Sequence, residues 1–289
     1  MDETLRSLID QLDLEPLEVN LFRGQSRDTG TRNVFGGQVI GQALVAAERT
    51  VDGRAPHSLH AYFLLPGDVR APIVYQVDRI RDGRSFSARR VQAIQHGRPI
   101  LSMIASFQAP EPGLEHAAPM PDVPPPDALE TSQELGERER SAAPAAAPVR
   151  RSGAIEFRAV EPEGAPARGR EPRQSYWFRA VDRIPDDPQL HRCLLAYASD
   201  WALSGTALRP HGKTWHDDEM IVASIDHALW FHRQARIDDW LLYTMDSPAA
   251  QGARGLSRGL VYDRAGRLVA SVAQEALMRD VTLTMKPAR

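Results

Sequence analysis

The feature that most constrains this chain is an internal duplication split by a proline-rich middle. Twelve of its 22 prolines fall between Pro110 and Pro172, a stretch that also holds Ala-Ala-Pro-Ala-Ala-Ala-Pro and a Glu-Arg-Glu-Arg run. A segment this long and this poor in apolar periodicity does not belong inside one compact domain, so it is read as a connection. It carries one short strand signal, at Ala154–Val160.

The flanks repeat one order of elements. In the first, a helical pattern over Val39–Thr50 follows Phe-Gly-Gly-Gln. Strand signals come next at Ser58–Leu65, Ile73–Ile80, Ser85–Gln95 and Pro99–Gln108, with turns at Asp82-Gly83 and His96-Gly97. In the second, Leu190, Leu194, Tyr197 and Trp201 recur at spacings of four, three and four, which predicts a helix over Leu190–Leu203 stopped at Ser204-Gly205. Strands follow at Ile221–Phe231, Leu241–Met245, Leu256–Tyr262 and Arg267–Met278. His60-Ala-Tyr-Phe-Leu aligns with His227-Ala-Leu-Trp-Phe, which predicts that His60 and His227 make matching structural hydrogen bonds. A helix followed by several antiparallel strands, twice over, is an α+β architecture. The expected division is a first repeat at 1–109, a connection at 110–172 and a second repeat at 173–289.

Composition limits the function. The formal net charge is −3, and lysine is confined to Lys213 and Lys286, so a general nucleic-acid binder is not expected. Arginine supplies the remaining cations and is the better phosphate clamp. Cys193 is the only cysteine, so there is no disulfide framework, and on its apolar helical face it is read as a small core residue. No apolar run reaches membrane-spanning length, and the Met-Asp-Glu-Thr-Leu-Arg start is not a secretory signal, so the expected location is the cytoplasm.

Three residues stand out. The apolar run Ile221–Phe231 is interrupted by Ser224, Asp226 and His227, and a buried polar group without a partner costs about 1–3 kcal/mol. Period-two alternation puts Ser224 on one face with Val222, Asp226, Ala228 and Trp230. The same rule makes Gln274 the one polar member of a face otherwise formed by Leu268, Ala270, Val272, Ala276 and Met278. Asp200 ends the second-half helix, where the negative end of its own dipole disfavours a carboxylate. It is either a solvated surface group or a partly buried general base. With Ser224 and Gln274 it makes a set of one base, one hydroxyl and one amide, able to hold and deprotonate a water.

Other motifs carry less. Gly255-Leu-Ser257-Arg-Gly259 matches a nucleophile elbow, but no helix signal follows and no histidine occurs after His232. His57, His60, His211, His216, His227 and His232 join no Cys or Glu pattern of the zinc kind, so no metal and no cofactor are expected.

The chain resembles the type II acyl-CoA thioesterases. The resemblance rests on Val34-Phe-Gly-Gly-Gln-Val-Ile-Gly-Gln-Ala-Leu, Ser58-Leu-His-Ala-Tyr-Phe-Leu-Leu-Pro-Gly-Asp, Leu195-Ala-Tyr-Ala-Ser-Asp200, Ser224-Ile-Asp-His-Ala-Leu-Trp-Phe-His-Arg, Ala253-Arg-Gly-Leu-Ser-Arg-Gly and Ser271-Val-Ala-Gln274-Glu. It implies a double hotdog, in which each repeat is a curved antiparallel sheet wrapped around a central helix. It also implies hydrolysis of fatty acyl-CoA, with Asp200, Ser224 and Gln274 orienting the water. Ser224 departs mildly from the commoner threonine. Arginines are the expected partners of the CoA phosphates, and further assembly into a homo-oligomer through sheet edges is open. Two other classes fit the fold: a hydratase or dehydratase with an Asp/His or Glu/His pair, and a non-catalytic acyl-CoA sensor. The second-half helix has no histidine one turn from Asp200, and a pure sensor needs no carboxylate there.

Overall fold

The computed structural model describes residues 1–26, 32–131, 134, 153–160, 171–215 and 217–284. Most of the Ala- and Pro-rich run, the Glu-Arg-Glu-Arg motif and His216 lie outside the described residues. The chain opens with α1 (Glu3–Leu12), β1 (Glu15–Glu18), β2 (Leu21–Gly24) and α2 (Gly36–Glu48). Four strands complete the first repeat: β3 (Ala55–Phe63), β4 (Ile73–Asp82), β5 (Phe86–Gln95) and β6 (Arg98–Gln108). The connection contributes β7 (Ile155–Ala159), and the second repeat has β8 (Arg173–Ala180), α3 (Pro188–Ser199), the short α4 (Leu203–Leu208), β9 (Met220–Ser224) and β10 (Asp226–Phe231). It ends with β11 (Leu241–Gln251), β12 (Arg254–Asp263), β13 (Leu268–Asp280) and α5 (Val281–Thr284).

All pairings described are antiparallel, in the order β1-β2-β4-β5-β6-β3-β10-β13-β12-β11-β8-β7, with β9 also on β13. The two repeats meet at the centre, where β3 pairs with β10 from Asp226↔Tyr62 to Trp230↔Ser58. The sheet is apolar on the face it turns to the helices: Leu59, Ala61, Val91, Met103, Leu229, Val272 and Ala276 are all buried there. This is the expected α+β double hotdog, two antiparallel sheets with a central helix each, joined edge to edge. The turn from β5 to β6 is a two-residue loop with both residues left-handed, His96 at φ 49° and Gly97 at φ 70°, as a type I′ hairpin requires.

The central helices are the part of the fold that positions the site. α2 is buried from Gly37 to Glu48. It runs antiparallel to α3: Gly37 meets the backbone of Tyr197, Gly41 that of Cys193, and Glu48 pairs with Arg192 at 2.8 Å. A Cβ on Gly37 would overlap the Tyr197 carbonyl, and one on Gly41 would lie 3.2 Å from the Cys193 carbonyl. These two glycines let the helix backbones approach each other closely.

Three expectations need correction. The second-repeat helix stops at Ser199, not at Ser204-Gly205, because Ala202 takes φ 67° and starts the separate helix α4, which contains that dipeptide. The Ile221–Phe231 run is two strands, not one. On β13, Ser224 lies opposite Ala276 but Ala228 lies opposite Ala273, so one extra residue is accommodated between them. This is a bulge. Its backbone is tied down by Ile225 N–H to the Glu275 carbonyl and Phe63 N–H to the Ile225 carbonyl, both 2.9 Å, and the Asp226 carboxylate accepts the Glu275 N–H at 2.7 Å.

The third concerns the two histidines. His227 pairs with Ala61 and His60 with Ala228, in adjacent rows, so they lie on opposite faces of the sheet. His60 is exposed and sits edge-on to Trp230, with centroids 5.1 Å apart, while His227 is completely buried. The motif match is one residue out of phase with the pleat, and a one-residue slip exchanges the faces.

Along the outer face of the second-repeat sheet, part of the connection packs down. Met120, Val123 and Leu129 lie against Trp177, Trp240 and Tyr262, and the Trp177 ring N–H donates to the Pro124 carbonyl at 2.9 Å. Among the described residues no helix is long and apolar enough to cross a membrane.

Candidate active site

Asp200 caps the C-terminus of α3 and is 9% exposed. The antiparallel packing of the helices brings that end of α3 to the N-terminus of α2. There the Asp200 carboxylate accepts the backbone N–H of Gly37. A Cβ on Gly36 would stand 2.7 Å from Asp200 Oδ2 and 2.9 Å from the Phe63 ring, so only glycine leaves this approach open. The carboxylate therefore faces the positive end of a second helix, which offsets the negative end of its own.

The bulge supplies the next two side chains. In an unbroken strand Ser224 and His227, three residues apart, would point to opposite faces. The extra residue turns both toward Gln274 on β13, while the Asp226 carboxylate is spent on the Glu275 N–H. The face on which Ser224 was expected, shared with Asp226 and Ala228, is thus not the one formed. Gln274 is 1% exposed and is the polar member of a buried stripe with Ala270, Val272 and Ala276, as its alternation predicts.

The hydrogen bonds form a continuous ring. Gln274 Nε2 donates to Ser224 Oγ at 2.7 Å, and Ser224 Oγ donates to Asp200 Oδ1 at 3.4 Å. Gln274 also hydrogen-bonds to the carboxylate of Asp200. On the far side, Gln274 Oε1 is 2.6 Å from His227 Nδ1, and His227 Nε2 is 2.9 Å from Ser199 Oγ. Ser199 is the residue before Asp200, so the backbone of α3 closes the loop. The Tyr243 hydroxyl donates to the Ser199 carbonyl at 2.9 Å and fixes this corner.

Burial governs the charges. Desolvation pushes the Asp200 pKa above its ordinary value; His227, the Gly37 N–H, Gln274 and Ser224 pull it back in part. Burial pushes His227 down, toward the neutral ring, against the nearby Asp200 and the Gln274 hydrogen bond. A carboxylate with a raised pKa and donors on hand can take a proton from water and hold it briefly.

The structure brings together all three residues singled out from sequence, Asp200, Ser224 and Gln274. Sequence reasoning gave His227 only a strand-supporting part and did not single out Gly36 or Gly37, although all three stand inside quoted motifs. Ser257 sits in mid-strand on β12, opposite Gln274, with no elbow and no following helix. Cys193 is fully buried beside Glu48. Among the described residues no cluster of three or more His, Cys, Asp or Glu could hold a metal ion.

Two hotdog repeats in one chain, with a buried carboxylate where their helices meet, define a class: the double-hotdog proteins. Comparison with known proteins narrows it. Residues 25–108 match the family model described as acyl-CoA thioesterase N-terminal domain, and residues 154–277 that described as acyl-CoA thioesterase. The chain is 41% identical over 286 residues to acyl-CoA thioesterase 2 of Haemophilus influenzae, spanning 96% of this chain and 99% of the relative. It is 42% identical over 282 residues to human acyl-coenzyme A thioesterase 8, spanning 93% and 87%. The crystal structure of an acyl-CoA thioesterase II, TesB2, from Mycobacterium marinum superposes with a TM-score of 0.78 at 44% identity, covering 94% of this chain and 98% of that one. The chain belongs to the acyl-CoA thioesterase family.

Proposed function

We propose that this chain hydrolyses fatty acyl-CoA to free fatty acid and CoA, with water activated by Asp200, Ser224 and Gln274. Family membership supports the thioester hydrolysis. The residue roles rest on one observation: a buried carboxylate ringed by an amide and a hydroxyl, at the N-terminus of a helix that glycines leave open.

Asp200 accepts a proton from a water held by Ser224 and Gln274, and the resulting hydroxide attacks the thioester carbonyl carbon. The oxyanion forms near the positive end of α2, where the field of the helix favours it. Collapse of the tetrahedral intermediate breaks the C–S bond. The proton on Asp200 passes to the departing thiolate, which regenerates the carboxylate and releases free CoA. A base whose pKa is raised toward the working pH suits this two-way transfer.

On the same reading the chain divides into a first repeat at 1–109, a connection at 110–172 and a second repeat at 173–289 that carries the three residues. The first repeat adds Gly36, Gly37 and Phe63 to the site wall. The test is free-thiol release across a panel of acyl-CoAs of different chain length. Wild type is expected to release CoA, and Asp200→Asn to lose turnover while still binding acyl-CoA. Undiminished thiol release by Asp200→Asn would sink the assignment of the base.

A further inference from the structure

We propose that His227 is a positioning residue for hydrolysis: its Nδ1–H locks the Gln274 amide with its NH2 group toward Ser224 and Asp200. The inference rests on the Asp200–Ser224–Gln274 reading and adds a fourth member that works through Gln274.

The two ends of a glutamine amide have nearly the same shape and differ only in hydrogen bonding. Ser224 cannot tell them apart, because a hydroxyl both donates and accepts. If the amide were reversed, Gln274 Oε1 would take the single Ser224 proton, and Asp200 would lose that donor. The carbonyl oxygen would also face the carboxylate. The Asp200 carboxylate disfavours that reversal at one end of the amide, and a donor at the other end fixes it from both sides.

His227 is placed for that task. It is completely buried, and among the described residues its two ring nitrogens hydrogen-bond only to Gln274 Oε1, at 2.6 Å, and Ser199 Oγ, at 2.9 Å. Oε1 can only accept, so Nδ1 carries the hydrogen. In the neutral ring Nε2 is then an acceptor and shares the single Ser199 hydroxyl proton with the Ala196 carbonyl. Ser199 Oγ donates to the Ala196 carbonyl at 2.9 Å, which keeps that hydroxyl on the helix end. From His227 onward each donor points the same way, through Gln274 and Ser224 to Asp200. Because Ser199 and Asp200 are neighbours at the end of α3, the base and the residue that holds His227 Nε2 move as one unit.

Packing alone does not explain the imidazole. Its strand neighbours on the same face are apolar, with Leu59, Ala61 and Leu229 all buried. The bulge at Ile225 gives up a ladder pairing to bring His227 round to Gln274.

A double-mutant cycle with a rescue tests this. Kinetics of acyl-CoA hydrolysis are measured for wild type, His227→Phe, His227→Asn, Gln274→Ala, His227→Phe with Gln274→Ala, and Asp200→Asn, each shown folded by thermal melt. His227→Phe is expected to lower kcat by about 10- to 100-fold with little change in KM. His227→Asn should recover most of that loss, because its amide nitrogen occupies the place of Nδ1. In the Gln274→Ala background, His227→Phe should cost nothing more, as coupled residues are non-additive. An equal cost in both backgrounds, or an Asn variant no better than Phe, overturns the inference. If His227→Phe fails to fold, the wild-type, Asn and Gln274→Ala comparison still decides: an Asn variant folded but as slow as Gln274→Ala also overturns it. The Asp200→Asn arm separates the two readings. If it retains turnover, the site reading fails; if it is inactive while the cycle is additive, only the role of His227 fails.

Discussion

The carboxylate of Asp200, at the C-terminal end of one central helix, accepts the backbone N–H of Gly37 at the N-terminal end of the other. The contact joins the two repeats at the point where the base sits. It depends on Gly36 and Gly37 lacking side chains, since a Cβ on Gly36 would stand 2.7 Å from Asp200 Oδ2.

Alanine at these two glycines should therefore have different effects. In Gly36→Ala the added methyl meets side-chain atoms of Asp200 and Phe63, which can shift. We expect kcat to fall by about 10- to 100-fold, as a misplaced base costs rate, with a small loss of stability. In Gly37→Ala the methyl meets the Tyr197 backbone carbonyl, so the helices must part. That variant should lose about 1–3 kcal/mol or more in denaturant unfolding. Equal effects of the two on stability would contradict the packing argument.

Asp200→Asn should be more stable than wild type at neutral pH. Burial raises the folded-state pKa of Asp200 above its ordinary 3.8, so folding at pH 7 carries the cost of a desolvated charge. For a carboxylate shifted upward, stability is highest below the unfolded pKa and falls as pH rises through the folded one. Asparagine escapes that fall. The melting temperature is expected to rise by about 2 °C or more at pH 7, and the gap to close as pH falls below the folded pKa of Asp200. A gap that widens in acid would mean the sign is wrong.

The same shift sets the pH profile of the reaction. The base works ionised, so kcat/KM should fall on the acid side as Asp200 takes up a proton. Because burial raises its pKa, this limb should lie above 3.8, the ordinary aspartate value. Gly36→Ala, which pushes the carboxylate away from its donors, should move the limb. A profile flat down to pH 4 in wild type would argue against Asp200 as the base.

What could be read from the sequence follows from how local each signal is. Gln274 was legible because a single polar residue in an apolar alternation needs only the rule of two. Asp200 and Ser224 were ambiguous by position and were placed by motif resemblance. The bulge at Ile225 was not legible, since the apolar run continues through it and the extra residue shows only in pairing with β13. That hid the side of the strand on which His227 lies. β1 was missed because Glu15–Glu18 is exposed throughout and has no alternation. α1 was missed although it carries a signal: Asp2 caps it, and Leu5, Leu8 and Leu12 form its buried stripe.

Ser257 offers a check on the elbow-like motif. It is 1% exposed, and its hydroxyl has no hydrogen-bond partner among the described residues. If water activated by Asp200 is the nucleophile, Ser257→Ala should keep kcat within about twofold, and losing an unpaired buried hydroxyl should leave stability equal or slightly higher. Ser224→Ala should lower kcat by about 10-fold or more, and Ser224→Thr should retain activity because the oxygen is kept. Loss of hydrolysis in Ser257→Ala with activity kept in Ser224→Ala would reverse the assignment.

At the other end of the paired helices lies a second buried carboxylate whose role is structural. Glu48 accepts from Arg192 at 2.8 Å and from the Cys193 thiol at 3.4 Å, with side-chain exposures of 5% for Glu48 and 19% for Arg192. Desolvation raises the Glu48 pKa above 4.5, and Arg192 holds it down in part. Removing one partner of a buried pair leaves an uncompensated charge, so Arg192→Ala should destabilise by about 3–5 kcal/mol near neutral pH. The sign with pH follows from the raised pKa. Without Arg192 the Glu48 pKa rises further, so the penalty is full where Glu48 is ionised and shrinks as acid protonates it. Adding Glu48→Gln to Arg192→Ala should restore most of the loss at pH 7 and remove that pH dependence. Denaturant unfolding of the three variants at pH 7 and pH 5 measures both effects. If Glu48→Gln failed to recover the loss, Arg192 would be holding the helices by packing of its side-chain stem and not by its charge.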